Sequence, residues 1–388
     1  MINVLWLASW YPNRLDTFNG DFTERHALAV SRFAKVTVLV VVKDETIPKN
    51  TVEVVKTVDQ NLAVYRVYYG RSGWPEPVEK ILSSKKYIQL HQKIYQQIVD
   101  ESGLPDLVHV QVAMKAGIFA IWLKRKYKLP YIVTEHWSGY YRVSKPNIYD
   151  MGKLYLALNK SILRNAALLL PVSNDLGETI IRNFVHMPYT VIPNVVNTDL
   201  FYYKLHQPGI FRFIHPSYMN YPKNPEGILA ACKIVQDMGY KFELQMIGSL
   251  DGGLLALADQ LGVLNKTVFF EAAIPYTEVA MRMQQSSALL MFSRYENLPC
   301  IVLESLCCGL PVICSAVGGL REVINESNGI LIEKENVRAL AAVMIRMMQD
   351  YEGYNQQQIA EKASALFNYD VVGKQYAGIY KKVLELRQ

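Results

Sequence analysis

Two glutamates, Glu296 and Glu304, have seven residues between them and flank the start of an expected helix. The apolar run Ala288–Phe292 reads as a short strand that ends at Ser293-Arg294-Tyr295, and Asn297-Leu298-Pro299 then breaks the pattern. Pro299 suits a first helical turn because it has no N–H to leave unpaired, and Ile301, Val302, Leu303, Leu306 and Cys307 supply an apolar stripe behind it. Free N–H groups near residues 298–301 would face an anion such as a phosphate. Gly309 is the expected C-cap, Pro311–Cys314 the next strand and Val317-Gly318-Gly319 the next loop. The result is one βαβ unit whose polar groups gather at the carboxyl ends of its strands, where open α/β sheets bind ligands. Glu296 belongs to the loop and Glu304 to the second helical turn. Two solvated helix charges would show the same spacing, so the pair alone does not define a site.

The elements that must position this unit fill a chain of 388 residues, too long for one ordinary core, and two domains are expected. Half the residues are hydrophobic, yet no apolar run reaches the roughly 18–20 residues of a membrane-spanning helix. Met1–Leu7 lacks a basic leader and a small-residue cleavage site and fits a buried first strand, so secretion is not expected. The five cysteines are odd in number, lie in the second half and show no CxxC spacing, which suggests neither a disulfide framework nor a zinc site. A reducing cytoplasm is the simple reading. Residues 1–200 carry 24 lysines and arginines against 17 acids, whereas residues 201–388 carry 17 against 18, so the positive surplus belongs to the first half.

Strand-type and helical patterns alternate along the first half, the signature of an α/β doubly wound sheet. Strands are expected at 3–7, 36–42, 62–69, 106–110, 131–134, 168–172 and 190–192, with helices over 22–33 and 77–99 and another that ends in the basic cluster at 123–128. The loop from Trp10 to Gly20 follows the first strand and is a candidate cleft lining, although a surface loop would look the same. His136 follows the strand at 131–134; a lone histidine there is more often structural than catalytic. A linker is expected at about 193–205. Strands at 211–215, 243–247, 267–270, 288–292, 312–314 and 329–332 then build a second sheet, with crossover helices between them and three helices in the tail.

Several site types have no support. The chain lacks G-x-G-x-x-G after a strand, G-x-x-x-x-G-K-[ST], H-E-x-x-H, G-x-S-x-G and Asp-x-Asp, which disfavours dinucleotide redox, P-loop, zincin, hydrolase and metal-dependent sugar-nucleotide sites.

The segment Y-E-N-L-P-C-I-V-L-E-S-L-C-C-G-L-P-V-I-C-S-A-V-G-G-L-R-E resembles the E-x7-E nucleotide-sugar signature of the family 4 glycosyltransferases. The resemblance extends to S-W-Y-P…G-D-F (Ser9 to Phe22), T-E-H-W-S-G at 134–139, V-S-N at 172–174 and I-P-N-V-V-N-T-D-L-F at 192–201, in the family's order. It implies a GT-B architecture of two Rossmann-like domains facing across a cleft. The expected domains are residues 1–195 with a C-terminal helix at 370–388 returning to them, and residues 205–369, which would bind the nucleotide sugar. It also implies metal-independent transfer with retention at the anomeric carbon, no cofactor, and a UDP-, GDP- or ADP-sugar donor. In that reading Glu304 would hold the donor ribose and Glu296 would lie beside the donor sugar. Leu298, Pro299 and Cys300 would present the helix start to the diphosphate, His136 would stand near the reacting sugar, and Gly20 would let the first-domain loop approach the phosphates.

One position departs from the family. Its usual arginine ahead of the Lys-Asn pair is replaced near Tyr218, while Lys223 and Asn224 remain. A phenol does not substitute for a guanidinium at a phosphate. Either Lys223 and the helix dipole suffice, Arg294 or Arg321 supplies the charge, or donor binding is weak. The acceptor would be a glycan or lipid-linked molecule. Lys80, Lys86, Lys93 and the 124–128 cluster are either solvated charge or a peripheral contact with anionic lipid on the inner face of the cell membrane, and no motif accompanies them that would suggest nucleic acid. A non-hydrolysing sugar-nucleotide 2-epimerase and a non-catalytic nucleotide-sugar binder are the competing functions.

Overall fold

The computed structural model describes residues 1–205 and 209–386; the last two residues of the expected helix 370–388 lie outside them. The first half alternates β1 (Asn3–Ala8), α1 (Asp21–Ser31), β2 (Lys35–Lys43), β3 (Val52–Asp59), β4 (Leu62–Tyr69), α2 (Val78–Ser102), β5 (Leu107–Gln111), α3 (Gly117–Tyr127), β6 (Tyr131–Glu135), α4 (Lys153–Asn165), β7 (Leu169–Pro171) and α5 (Asn174–Asn183). The sheet order is β3-β4-β2-β1-β5-β6-β7, parallel except for the β3–β4 pair. Strands β1 and β5 are buried almost throughout, because helices cover both faces of the sheet and only apolar side chains suit such a position.

The second half contains β8 (Arg212–Ser217), α6 (Pro225–Asp237), β9 (Glu243–Gly248), α7 (Gly252–Gln260), β10 (Val268–Ala272), α8 (Tyr276–Gln284), β11 (Ala288–Met291), α9 (Cys300–Cys307), β12 (Val312–Ser315), α10 (Leu320–Val323), β13 (Gly329–Ile332), α11 (Val337–Gln349), α12 (Gln356–Phe367) and α13 (Tyr369–Glu385). Its sheet is parallel, in the order β10-β9-β8-β11-β12-β13. The strand order reverses between β8 and β11, so the loops leaving those two strands diverge and open a crevice above the sheet.

Helix α13 returns to the first sheet. Val372, Tyr376 and Tyr380 are fully buried in the cluster that contains Val4, Trp6 and Val36. The hydroxyl of Tyr380 accepts from the Trp6 indole at 3.2 Å and lies 2.8 Å from His109 Nδ1, so its polar end is satisfied inside the core.

One expectation is corrected, and several elements were not expected. Residues 190–192 are not a strand: Tyr189 makes an isolated bridge to Leu169, and the Thr190 and Ile192 N–H groups reach β7 at 3.0 and 3.1 Å without a continuous ladder. Pro193 follows immediately and cannot donate to such a ladder. Strand β3 was not foreseen; it is exposed along its whole length, so its sequence carries no inward-facing apolar alternation. Helices α4 and α5 were likewise not anticipated.

Candidate active site

Lys223 and Glu296 come from the two loops that diverge at the switch point, one after β8 and the other after β11. Their side chains meet as an ion pair, Nζ to Oε1 at 2.5 Å, and Ser293 donates to the same oxygen at 2.7 Å. Beneath the first loop, His215 bonds the Leu290 carbonyl and the Ser217 hydroxyl, which in turn accepts from the Met219 N–H at 3.0 Å. This chain ties residues 217–219 to the sheet. The glycine loop after β12 fixes the other side. Gly318 has φ of 52°, and a Cβ there would lie 2.2 Å from the Glu296 carbonyl oxygen, while Gly319 N–H donates to Asn297 at 2.9 Å. The glycines therefore let one loop lie flat against the backbone that carries Glu296.

Helix α9 begins one residue later than expected, with Pro299 extended at the N-cap rather than inside the first turn. The first-turn N–H groups of Cys300 and Ile301 have no intrahelical acceptor and end at the cleft. Glu304, 2 % exposed, accepts from the Tyr276 hydroxyl at 2.6 Å. Burial raises the pKa of its carboxyl, and Arg25 opposes that shift. Burial also pushes the Cys300 thiol up to about 12, so it is a neutral thiol rather than a nucleophilic thiolate.

The opposing wall comes from the first half. Glu135, at the end of β6, accepts from the backbone N–H groups of Ala113, His136 and Trp137 and from the Tyr140 hydroxyl, all at 3.1–3.2 Å. That buried carboxylate sets the turn that carries His136. The imidazole lies 4.3 Å, ring to ring, from Phe22, and neither of its nitrogens has a hydrogen-bond partner. Burial, helped by His26 and His109, holds its pKa well below the usual histidine range, so the ring is neutral near pH 7.

The walls enclose a cavity of about 570 Å³ lined by His136, Lys223, Glu296, Leu298, Pro299, Cys300 and Glu304, among others. Gly20 and Asn224 are not on its wall. Gly20, with φ of 68°, caps α1 against the Trp10 backbone, where a Cβ would lie 2.5 Å from a carbonyl carbon. Asn224 is buried and left-handed at the start of α6. Tyr218 lines the cavity and is 58 % exposed.

The two arginines suggested as substitutes for the family's cation are committed elsewhere. Arg294 pairs with Glu226 at 2.6 Å and Glu335 at 3.0 Å and stacks on Tyr221, while Arg321 donates to the Ala316 carbonyl at 2.8 Å. Among the described residues, the arginine on the cavity wall is Arg25 of α1. Sequence reasoning missed it because an arginine in an amphipathic helix reads as a surface charge. It also missed the residues that join the halves. Asn297 donates to the His136 carbonyl at 3.1 Å and accepts from Ser173 at 2.8 Å, and Asn194 donates to the Leu298 carbonyl at 2.6 Å. The Glu322 carboxylate accepts from the Asn174 and Asp175 N–H groups at 2.8 and 2.7 Å, capping α5 from the other half. Asn194 and Ser173 lie within the family-like stretches, but their partners could not be read from them.

Residues 35–200 match the family model Glycosyltransferase Family 4, and residues 209–365 match Glycosyl transferases group 1. The chain is a family 4 glycosyltransferase. This glycosyltransferase is 24% identical to TuaC of Bacillus subtilis (strain 168), a glycosyltransferase assigned to teichuronic acid biosynthesis, over 99% of this chain and 97% of that one. Sucrose-phosphate synthase from Thermosynechococcus elongatus superposes with a TM-score of 0.81 at 19% identity, over 99% of this chain and 100% of that structure. HepE from Anabaena, solved in complex with UDP-glucose, gives 0.68 at 15% identity, over 98% and 100%. Those likenesses establish the GT-B fold, and the family assignment leaves the epimerase and the non-catalytic binder without support.

Proposed function

We propose that this glycosyltransferase moves a sugar from a UDP-, GDP- or ADP-sugar to a glycan or lipid-linked acceptor, with retention and without a metal ion. The observation that carries the reading is the convergence of Lys223, Glu296, Glu304, His136 and the open start of α9 on one interdomain cavity. Glu304, buried and held by Tyr276, would accept from the ribose hydroxyls. The diphosphate would lie over the Cys300 and Ile301 N–H groups, with the Lys223 ammonium as counter-charge. Charge that develops on the departing diphosphate then meets groups already oriented toward it, which is where preorganised donors act most strongly. Glu296 holds the Lys223 ammonium in place and faces the donor sugar. His136, being neutral, would hydrogen-bond a sugar hydroxyl rather than donate a proton as an acid. No covalent nucleophile is assigned.

In this reading the acceptor side is the first domain of a cytoplasmic enzyme that rests against the inner face of the membrane. No helix among the described residues is long and apolar enough to cross a bilayer. Trp74, Val78 and Ile81 are exposed beside Lys80 at the start of α2, a combination suited to an anionic lipid surface.

A thermal-shift series with UDP, GDP, ADP and their sugars tests the donor class: stabilisation by one nucleoside diphosphate is expected, and no shift with any would refute it. Proton NMR of the product's anomeric signal tests retention, and transfer that continues unchanged in excess EDTA tests metal independence.

A further inference from the structure

We propose that Arg25 is a donor-binding residue: from the first domain, it grips the donor diphosphate with the two-pronged cationic contact that position 218 does not supply. This rests on the nucleotide-sugar reading of the cleft.

Arg25 projects from α1 into the cavity wall and is only 7 % exposed. Its guanidinium lies 4.8 Å over the Tyr276 ring and next to Cys300, the first residue of α9. It therefore stands between Glu304 and the helix start, the groups assigned above to the ribose and to the diphosphate.

The hydrogen bonding of the guanidinium is unequal. Nη1 is spent on Asp21 at 2.7 Å. Nη2 stands 3.8 Å from Glu304 Oε1, beyond hydrogen-bond length, and Nε is buried with no partner at all. Nε and Nη2 form one edge of the planar group, the edge that binds two oxygens of a phosphate side by side. A buried donor without an acceptor is costly and uncommon. Here the unspent edge belongs to a side chain on a ligand-sized cavity.

The wall carries three carboxylates against two cations, so an incoming diphosphate depends on donors with hydrogen-bonding capacity to spare. Asp21, Glu296 and Glu304 face Arg25 and Lys223. Lys223 is already matched by Glu296, and His136 is neutral. A diphosphate entering with only Lys223 to meet it would have to compete with Glu296, whereas the Nε–Nη2 edge of Arg25 has no protein oxygen within hydrogen-bond length and is presented by a small turn of the side chain.

The experiment takes the nucleoside diphosphate that binds the wild type and compares it with its monophosphate and nucleoside, by calorimetry or NMR titration, in the wild type, Arg25→Gln and Arg25→Lys. The expected result is a loss of about 10-fold or more in diphosphate affinity for Arg25→Gln, the loss of one charge-assisted fork. Nucleoside affinity should stay within about 2-fold, which also shows that the cleft is folded, and Arg25→Lys should recover part of the loss because it keeps charge without the fork. An equal loss for nucleoside and diphosphate would overturn the proposal, since Arg25 would then act only through Glu304 or the fold. Unchanged diphosphate affinity in Arg25→Gln would overturn it while leaving the transferase reading intact. A wild type that binds no nucleoside diphosphate would overturn both.

Discussion

Replacing Glu304 by Gln should remove the enzyme's preference for an intact ribose. The carboxylate is 2 % exposed, and Tyr276 occupies one lone pair of Oε1. The remaining acceptor sites face the cavity, where a hydrogen bond to a charged group is worth about 1.5–3 kcal/mol. Gln keeps the size and one acceptor oxygen but turns the other into a donor and removes the charge, so one ribose contact is lost. That corresponds to roughly a 10- to 100-fold rise in Kd for the nucleoside diphosphate. Calorimetry with the ribonucleotide and its 2′-deoxy and 3′-deoxy analogues separates this from general damage. The wild type should bind at least one deoxy analogue more weakly by a similar factor, and in Glu304→Gln that difference should collapse. If the variant discriminates between ribose and deoxyribose as well as the wild type does, the ribose is held elsewhere and the role given to Glu304 is wrong.

Acidification supplies a second test of the same carboxylate. Burial raises its pKa, and ribose binding uses the charged form, so donor affinity is present at higher pH and lost as pH falls through that raised value. The pH dependence should be flatter in Glu304→Gln, and an unchanged profile would argue against the assignment. Lys223→Ala should lower kcat by about 10²- to 10³-fold, the range for removing one preorganised charge partner of a leaving group, and an effect confined to KM would show uniform binding instead. Gly373→Ala should lower Tm, because a Cβ there would lie 2.3 Å from the Ala29 carbonyl oxygen and force α13 off α1, an overpacking cost of about 1–3 kcal/mol. An unaltered melting curve would mean that this helix contact yields easily. Salt-sensitive co-sedimentation with anionic vesicles should weaken in a Lys80→Glu, Ile81→Ser variant, and equal binding to neutral vesicles would rule out the proposed membrane contact.

What was legible in the sequence was mostly local. The strand at 288–292, the loop carrying Glu296 and the helix carrying Glu304 follow from apolar spacing, a proline and two glycine stops, all within one short segment. The strand β3 escaped because both of its faces meet solvent, and residues 190–192 misled because three extended apolar and polar residues resemble a strand whether or not a neighbour completes the ladder. The motifs located His136 and Lys223, but not the state of either. Burial moves the His136 pKa well below the usual histidine range, and only the folding of the loops after β8 and β11 pairs Lys223 with Glu296.

The position of the missing cation marks the boundary most clearly. The family resemblance put the expected arginine near Tyr218, since that is a matter of residue type at a place in a motif. The sequence pointed to Arg294 and Arg321, which flank the segment carrying Glu296 and Glu304, as substitutes. The tertiary structure instead engages Arg294 with Glu226 and Glu335, and it turns Arg25 from the other half toward Glu304 and Tyr276. Secondary structure is written in short-range periodicity, and an apolar stripe records which face of a helix is buried. It does not record what lies across a cleft, because which charges face each other there depends on how two separately folded sheets are docked, and Asn194, Ser173, Asn297 and Glu322 set that docking through contacts between residues far apart in the chain.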